Sequence, residues 1–314
     1  MASGKRAPPR RFAVLKSLPR WLALTCIVML SAVAVGGVAT AIYAGWLFNH
    51  MPDASDIADY RPPTATRVYA WDGTLIGEIS TERRIFVPFD QIPPPLWQAF
   101  VAAEDHNFFH HSGVDMAGLG RALIKNVGNL VRGRRLEGGS TITQQVAKNV
   151  LLTSDQTLGR KVQEAILASR LEQLLTKEQI LELYLNEIWL GYRSYGVGAA
   201  AYNYFGRSIN ELTLAQCAYL AALPKGPQNY HPIRNHDAAI RRRNAILDDM
   251  VELHYVTRAQ AEEAKREPLT VETTPQRARY RDADYFVEEV RRRAEQTFGS
   301  RQVNEGGYYM RTTL

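Results

Sequence analysis

Two adjacent carboxylates, Glu104 and Asp105, follow an apolar stretch and precede a segment rich in aromatic residues and histidines. A carboxylate against aromatic surface loses solvation, which raises its pKa towards the value that a general base needs. The alternative is a solvent-exposed acid pair at a helix end, and periodicity alone leaves both open. The neighbouring histidines suggest a metal, but the sequence contains no second cluster of ligands to support one.

A glycine pair and hydroxyl residues, over residues 138–148, precede a predicted helix. Thr141 and Gln144 have the spacing of a capping box. The free N–H groups and the positive dipole end of such a helix start favour an anion. Lys148 follows Gln144 by four residues and therefore lies on the same face. An ordinary capped helix is the alternative, and this segment by itself favours that alternative.

A charged pair, Arg160 and Glu164, lies on an apolar face of the helix predicted over 158–175. The opposite face is apolar too, so the helix is predicted to be largely buried. A charged pair in such a place is costly unless it is paired or functional. A structural ion pair is the alternative, but Arg before Glu is the weaker order for helix stability, which favours function. Residues 177–187 form an amphipathic helix, for which a core role is favoured.

The elements that must position these residues are mostly helical. Residues 67–79 predict a β-hairpin around an Asp-Gly turn, and Pro93-Pro94-Pro95 opens a helix over 96–104. Further helices are predicted over 114–132, 141–152, 158–175, 177–190, 211–223, 236–253, 257–265 and 283–298. Residues 306–314 predict a turn and a strand for which no partner follows, so the chain is expected to be the front part of a longer protein.

The positive charge is concentrated at the N-terminus. Of the 38 Lys and Arg residues, six lie before residue 21, so the remaining 32 balance the 32 acidic residues. This balance removes the main support for a globally basic nucleic-acid-binding domain. Residues 21–48 contain no charged side chain and are predicted to form a transmembrane helix with the basic tail in the cytoplasm. A cleaved signal peptide is the alternative, but its apolar region is shorter.

In this order, the four chemistry-bearing segments resemble the signature motifs of family 51 peptidoglycan glycosyltransferases, the glycosyltransferase module of class A penicillin-binding proteins and of monofunctional enzymes. The matched patterns are E-D-x-x-F-x-x-H-x-G from Glu104, G-x-S-T-I-T-Q-Q from Gly138, R-K-x-x-E from Arg160 and I-L-E-x-Y-L-N from Ile180. A fifth, R-R-x-x-V-L, is matched from Arg242 with Ile in place of Val, and residues 204–206 and 223–227 also fit. The resemblance covers roughly residues 66–255.

The resemblance implies a mainly α, lysozyme-like glycosyltransferase domain with a membrane-associated jaw, preceded by one transmembrane helix and a short β-hairpin. The expected organisation is a cytoplasmic basic tail (1–20), a transmembrane helix (21–48), a linker (49–65), the glycosyltransferase domain (66–265) and the start of a linker towards a transpeptidase domain (266–314). Neither S-x-x-K nor K-T-G occurs in the sequence, so no transpeptidase is expected within these residues. A truncated class A protein is favoured over a monofunctional enzyme.

The implied reaction is the polymerisation of lipid II into glycan strands, with inversion and release of undecaprenyl diphosphate. Glu104 would be the general base on the acceptor 4-hydroxyl, and Glu164 a second carboxylate near the donor diphosphate. The implied substrate-binding residues are Asp105, Ser140, Thr143, Gln144, Gln145, Lys148, Arg160, Lys161 and Asn186. Glu164 would either orient Arg160 or hold a divalent cation, Mg²⁺ or Mn²⁺, and the sequence leaves both open.

The implied partners are lipid II, the growing glycan strand, the membrane and other wall-synthesis proteins, without nucleic acid. The implied location is the inner (plasma) membrane, crossed once, with the catalytic domain outside the cytoplasm. Two other functions stay open: a glycan-cleaving enzyme on the same fold and a non-catalytic anchored scaffold. The predicted anion site argues against the first, and the charged pair in an apolar helix argues against the second.

Overall fold

The computed structural model describes residues 20–49, 66–79, 83–121, 139–151, 158–272 and 284–314, together with Gly128. The chain separates into two compact units, Met1–Met51 and Pro52–Leu314. The described part of the first unit is helix α1 (Arg20–Asn49), which covers the apolar span predicted over 21–48. Among the described residues, no helix is both long enough and apolar enough to cross a membrane, so the predicted anchor is not confirmed.

The second unit is mainly helical, as predicted. Its helices are α2 (Pro94–Glu104), α3 (Ile142–Val146), α4 (Leu158–Leu174), α5 (Lys177–Glu187), α6 (Gly196–Phe205), α7 (Leu214–Leu220), α8 (His236–Glu252), α9 (Arg258–Arg266), α10 (Asp284–Phe298) and α11 (Ser300–Glu305). A π-helical turn, Ala147–Leu151, continues α3. The predicted helix 114–132 is described only in part, and residues 116–121 of it are helical.

Repeated Thr-x-x-Gln capping boxes start four of these helices. In each, the threonine hydroxyl accepts a hydrogen bond from the glutamine backbone N–H, and the glutamine side chain accepts one from the threonine N–H. The boxes satisfy donors that a helix N-terminus otherwise leaves unpaired. They begin α3, α5, α7 and α9 at Thr141, Thr176, Thr213 and Thr257.

The centre of the helical body is α2, which packs against α7 and α8. Its Leu96, Ala99 and Phe100 are completely buried. Beside it, α3 packs between α4 and α5. This packing brings the C-terminal end of α2 next to the first turn of α3, the two places where the sequence concentrates its candidate residues.

The hairpin belongs to a small sheet that contains both early and late parts of the unit. β1 (Thr66–Tyr69) pairs antiparallel with β2 (Leu75–Ile79), as predicted, and pairs parallel with β5 (Tyr309–Arg311). The short strands β3 (Arg83–Arg84) and β4 (Ser194–Tyr195) form a separate parallel pair. The strand predicted to have no following partner therefore pairs with a strand about 240 residues before it. An apolar cluster that includes Val68, Ile79, Ala294 and Val303 holds α10 and α11 against this sheet. The hairpin thus packs on residues that the sequence assigns to the linker.

Several predicted boundaries differ from the structure for local reasons. The helix predicted over 177–190 ends at Glu187 because Ile188 adopts an extended conformation. The helix predicted over 211–223 is reduced to α7, preceded by a 3₁₀ turn, Ile209–Glu211. The sequence did not predict α6, which starts at Gly196 with φ +77°. A Cβ there would lie 2.6 Å from the Asn186 carbonyl oxygen, so this start requires glycine.

A smaller part of α4 is buried than the sequence predicts. Leu167 and Leu171 are completely buried, which confirms one apolar face. On the opposite face, Val162 is exposed by 50%, so the prediction that this face is also buried is wrong. Leu174, which lies on the face of Leu167 and Leu171, is exposed by 54%. The helix is buried towards α3 and α5, against which it packs.

Candidate active site

Glu104 is the last residue of α2 and faces α3. Its Oε2 accepts a hydrogen bond of 2.8 Å from the side-chain Nε2 of Gln145. Burial raises the pKa of Glu104, and this influence exceeds the opposing ones of the Gln145 hydrogen bond and the charges of Arg242 and Lys225. The direction is the one that the sequence predicts for a general base.

Asp105 has a different environment from its neighbour because the backbone turns at this residue. Its Oδ2 accepts a 3.0 Å hydrogen bond from the backbone N–H of Ile142, and lies 2.9 Å from His111 Nε2. The side chains of Asp105 and His111 are almost completely buried. Asp105 therefore joins the end of α2 to the first turn of α3, and its carboxylate does not line the cleft described next.

A cleft of about 320 Å³ opens beside Glu104. This volume lies within the range of ligand pockets. Its lining residues are Ala103, Glu104, Ser140, Gln144, Gln145, Lys148, Lys161, Glu164, Lys225 and Arg242. The lining contains four cationic side chains and two carboxylates. This excess of positive charge suits an anionic ligand such as a diphosphate.

The pair predicted between Arg160 and Glu164 forms, and a third charge joins it. Glu164 Oε1 lies 3.4 Å from Arg160 Nε, and both side chains are at least nine-tenths buried. Glu164 Oε2 lies 2.5 Å from Nζ of Lys161, whose ammonium also donates a 2.8 Å hydrogen bond to Ser140 Oγ. Glu164 thus orients Lys161 at the cleft and pairs with Arg160, which is not one of the residues that line it, and these contacts favour the first of the two roles that the sequence left open.

The described residues do not fit a metal ion held by the protein alone. No group of three or more His, Cys, Asp or Glu side chains in the described ranges could hold one. Both oxygens of Glu164 face cationic groups rather than an open position.

Besides Asp105 and Arg160, two further predicted residues, Thr143 and Asn186, lie outside the cleft lining. Thr143 Oγ1 donates a 2.6 Å hydrogen bond to Glu172 Oε1. Asn186 holds Val87 through its backbone, since Oδ1 accepts from the Val87 N–H at 2.8 Å and Nδ2 donates to the Val87 carbonyl at 2.9 Å. The structure therefore gives Thr143 and Asn186 positioning contacts and does not bring their side chains to the cleft.

Two cleft residues, Lys225 and Arg242, were absent from the predicted site. Arg242 Nη2 donates a 3.1 Å hydrogen bond to the carbonyl oxygen of Ala103, which brings α8 to the end of α2. Lys225 lies in the turn that follows α7. Both residues belong to segments that resemble family motifs, which was the available signal. Spacing along the chain could not indicate that they face Glu104.

Comparisons with known proteins agree with the motifs. A family model described as Transglycosylase matches residues 72–251. Penicillin-binding protein 1A of Rickettsia prowazekii (strain Madrid E) is 40% identical over 291 residues, which cover 92% of this chain and 37% of the relative. Penicillin-binding protein 1A of Escherichia coli (strain K12) is 40% identical over 289 residues, which cover 92% of this chain and 33% of the relative.

The chain spans little more than a third of the length of the first of these curated relatives and a third of the second. Among solved structures, the crystal structure of Penicillin-Binding Protein 1A from Haemophilus influenzae is 29% identical to this chain. The match covers 81% of this chain and 27% of that one, with a TM-score of 0.45.

Proposed function

The chain belongs to the transglycosylase family, and from this premise we propose that it is a peptidoglycan glycosyltransferase that polymerises lipid II into glycan strands. The observation that carries the proposal is the position of Glu104, a carboxylate with a raised pKa at the edge of a cleft lined by four cationic side chains. Such a site combines a base for a sugar hydroxyl with charge for a diphosphate leaving group.

In the proposed reaction, Glu104 takes the proton from the acceptor 4-hydroxyl as this oxygen attacks the anomeric carbon of the donor. The bond between that carbon and the diphosphate oxygen breaks, and the bond electrons leave with undecaprenyl diphosphate. One displacement converts an α-linked donor into a β-linked product. It therefore needs a single base and no covalent enzyme intermediate.

The leaving diphosphate gains negative charge, so it needs cations more than it needs a proton. Lys148 and Lys161 line the cleft, and Ser140 accepts a hydrogen bond from Lys161 beside them. Glu164 holds Lys161 and Arg160 in place for this role. Charges that are fixed before the reaction stabilise the transition state without reorganisation.

The two alternative functions fit the site less well. A glycan-cleaving enzyme with two active carboxylates needs the second one to activate water or to act as a nucleophile. Glu164 is instead paired with two cations, which is a poor arrangement for either task. A scaffold without catalysis would not need a carboxylate with a raised pKa beside a cationic cleft.

On the sequence alone, we further propose that residues 21–48 attach the protein to the inner membrane, with the basic tail in the cytoplasm. The support is the absence of charged residues from this span and the six basic residues that precede it. Retention in the membrane fraction after extraction with high salt and with alkaline carbonate is the expected result. Release of the protein into the soluble fraction would refute the attachment.

The direct test of the function is to incubate the purified chain with labelled lipid II. We expect glycan polymer and release of undecaprenyl diphosphate. A folded wild-type chain that produces neither, with a known polymerase active in the same assay, would overturn the proposal. Muropeptide-sized fragments released from preformed glycan would instead support the cleaving alternative.

A further inference from the structure

The two adjacent acids at the end of α2 both contact α3, through donors three residues apart. The Ile142 N–H donates to Asp105 Oδ2 at 3.0 Å, and Gln145 Nε2 donates to Glu104 Oε2 at 2.8 Å. Residues three apart on a helix lie on the same face. One turn of helix therefore binds both carboxylates.

The donor on Gln145 is held in place by several contacts of its own helix. Thr141 caps α3 and donates a 2.6 Å hydrogen bond from Oγ1 to the carbonyl oxygen of Gly113. Asp105, which binds the first N–H of this helix, is itself held by His111. Because these groups are buried, α3 cannot shift relative to α2 without breaking them, so the amide of Gln145 is preorganised towards Glu104.

The hydrogen bond distinguishes the two protonation states of Glu104. The amide nitrogen of Gln145 can only donate, and an ionised carboxylate is the better acceptor, so the bond favours the charged form. The bond is made to Oε2 of Glu104. A base must be ionised before the reaction, and this bond supports that state against the effect of burial.

Other charged and titratable groups also face Glu104, from each element that surrounds it. They are Asp105 directly after α2, Tyr184 on α5, Lys225 after α7 and Arg242 on α8. Lys148, Lys161 and Glu164 line the same cleft. Among the described residues, Gln145 is the one whose side chain makes a hydrogen bond to the carboxylate of Glu104.

We infer that Gln145 is a positioning residue for the base: its side-chain amide holds Glu104 ionised and oriented, instead of binding the donor diphosphate as the family resemblance suggests. The inference rests on the proposed function for its catalytic consequence, but the hydrogen bond and its effect on Glu104 do not depend on lipid II. The inference on Gln145 and the proposed function can therefore be refuted independently of each other.

The test compares Gln145→Leu with Gln179→Leu in the full chain. The control removes an equally hydrogen-bonded amide from the exposed capping box of α5, away from the cleft. We measure kcat/KM for lipid II as a function of pH. Loss of a hydrogen bond to a charged group should move the acidic limb of the Gln145→Leu profile upwards by about 1–2 pH units. Gln179→Leu should leave this limb where the wild type has it.

A second readout is independent of catalysis. The titration of the Glu104 side-chain carboxyl is followed by ¹³C NMR in the wild-type chain and in both variants. Its midpoint should move to higher pH in Gln145→Leu alone. If Gln145→Leu does not fold, Gln145→Met replaces it, because methionine has a similar length and no hydrogen-bond donor.

The possible results separate the hypotheses. A higher KM at every pH, with the acidic limb and the NMR titration unchanged, would show that Gln145 binds substrate and would overturn the inference. A wild-type chain without polymerisation would refute the proposed function, while the NMR titration would still decide the role of Gln145. An upward shift of the acidic limb together with an upward shift of the Glu104 NMR titration supports both the inference and the proposed function.

Discussion

At Glu104, burial and hydrogen bonding act on the carboxyl in opposite directions. Burial disfavours the charged form, whereas Gln145, Arg242 and Lys225 favour it, and the net result is a pKa above the ordinary value of 4.5. A group whose pKa is raised on folding stabilises the folded state below its unfolded pKa. This contribution is lost as the pH rises through the folded pKa. At a pH where Glu104 is ionised, this residue therefore lowers the free energy of unfolding.

Glu104→Gln should separate activity from stability. We expect polymerisation to fall by roughly 10²–10⁴-fold, because the variant lacks the base. Its free energy of unfolding relative to the wild type should rise as the pH increases above about 4.5, because glutamine does not ionise. Lipid II turnover and chemical denaturation at several pH values check both parts. Near-normal turnover in the folded variant would exclude Glu104 as the base.

Residue types and spacing identified Glu104, Glu164 and the glycine-led segment as candidate site residues, and the structure brings them to one cleft. The sequence could not indicate how neighbouring carboxylates differ. Asp105 and Glu104 are adjacent, but a turn of the backbone directs one to His111 and the other to Gln145. Such a difference depends on contacts with distant segments, which local pattern does not encode.

At the scale of elements, α4 combines charged residues near its N-terminus with buried leucines further along. Arg160, Lys161 and Glu164 lie at the cleft end, and Leu167 and Leu171 are buried further along. The helix anchors its apolar part between α3 and α5, and in this way fixes the charges that face the cleft. Buried ion pairs of this kind contribute little net stability, because desolvation opposes their attraction.

The double variant Arg160→Met with Glu164→Leu distinguishes a catalytic pair from a structural one. We expect a folded protein, as stable as the wild type or more so, because apolar replacements of similar volume remove the desolvation cost of the pair. Its turnover of lipid II should be lost, because Lys161 is no longer oriented and Arg160 is gone. The melting temperature is measured beside the turnover.

The control for that experiment is Arg293→Met with Glu289→Leu, the same exchange in another i,i+4 pair. This pair lies on α10, at the surface and outside the helical body. The control double variant should retain the lipid II turnover of the wild type. If the α4 double variant retained turnover as well, the pair would be structural and the assignment of the diphosphate site would be wrong.

The sequence predicted the capping box that starts α3, but not the π-helical turn that continues it. Capping is a local property of Thr141 and Gln144, whereas the π turn, Ala147–Leu151, has no signature in residue type. The π-helical turn matters because it carries Lys148. In the regular α-helix that the sequence predicted, the Lys148 side chain would point in a different direction. The helix α6 was missed because its glycine-rich start reads as a loop.

On the scale of the whole unit, a small sheet joins residues at its two ends. The Arg67 N–H donates to the Tyr308 carbonyl oxygen at 2.8 Å, and the Thr312 N–H donates to that of Tyr69 at 2.8 Å. The sequence predicted the hairpin and the late strand separately. It could not pair them, since parallel pairing over such a distance leaves no local trace.

Val303→Asp should open this sheet. Val303 is completely buried in the apolar cluster beneath β1, so an ionised side chain there would be costly. Hydrogen exchange of the Arg67 and Trp71 amides, which bond to Tyr308 and Leu314, should become faster. Gln302→Asp places the same charge on the exposed neighbouring residue and should leave the exchange unchanged. Equal exchange in both variants would show that the cluster does not hold the sheet.

The parallel pairing of β1 with β5 also sets an order of events during synthesis. The ribosome makes β1 first and β5 about 240 residues later, a delay on the order of ten to fifty seconds at ordinary elongation rates. A lone hairpin is only marginally stable during this wait, whereas every residue that lines the cleft has been synthesised once the chain reaches Arg242. We therefore expect the cleft to be able to form before β5 exists, and the sheet to close last.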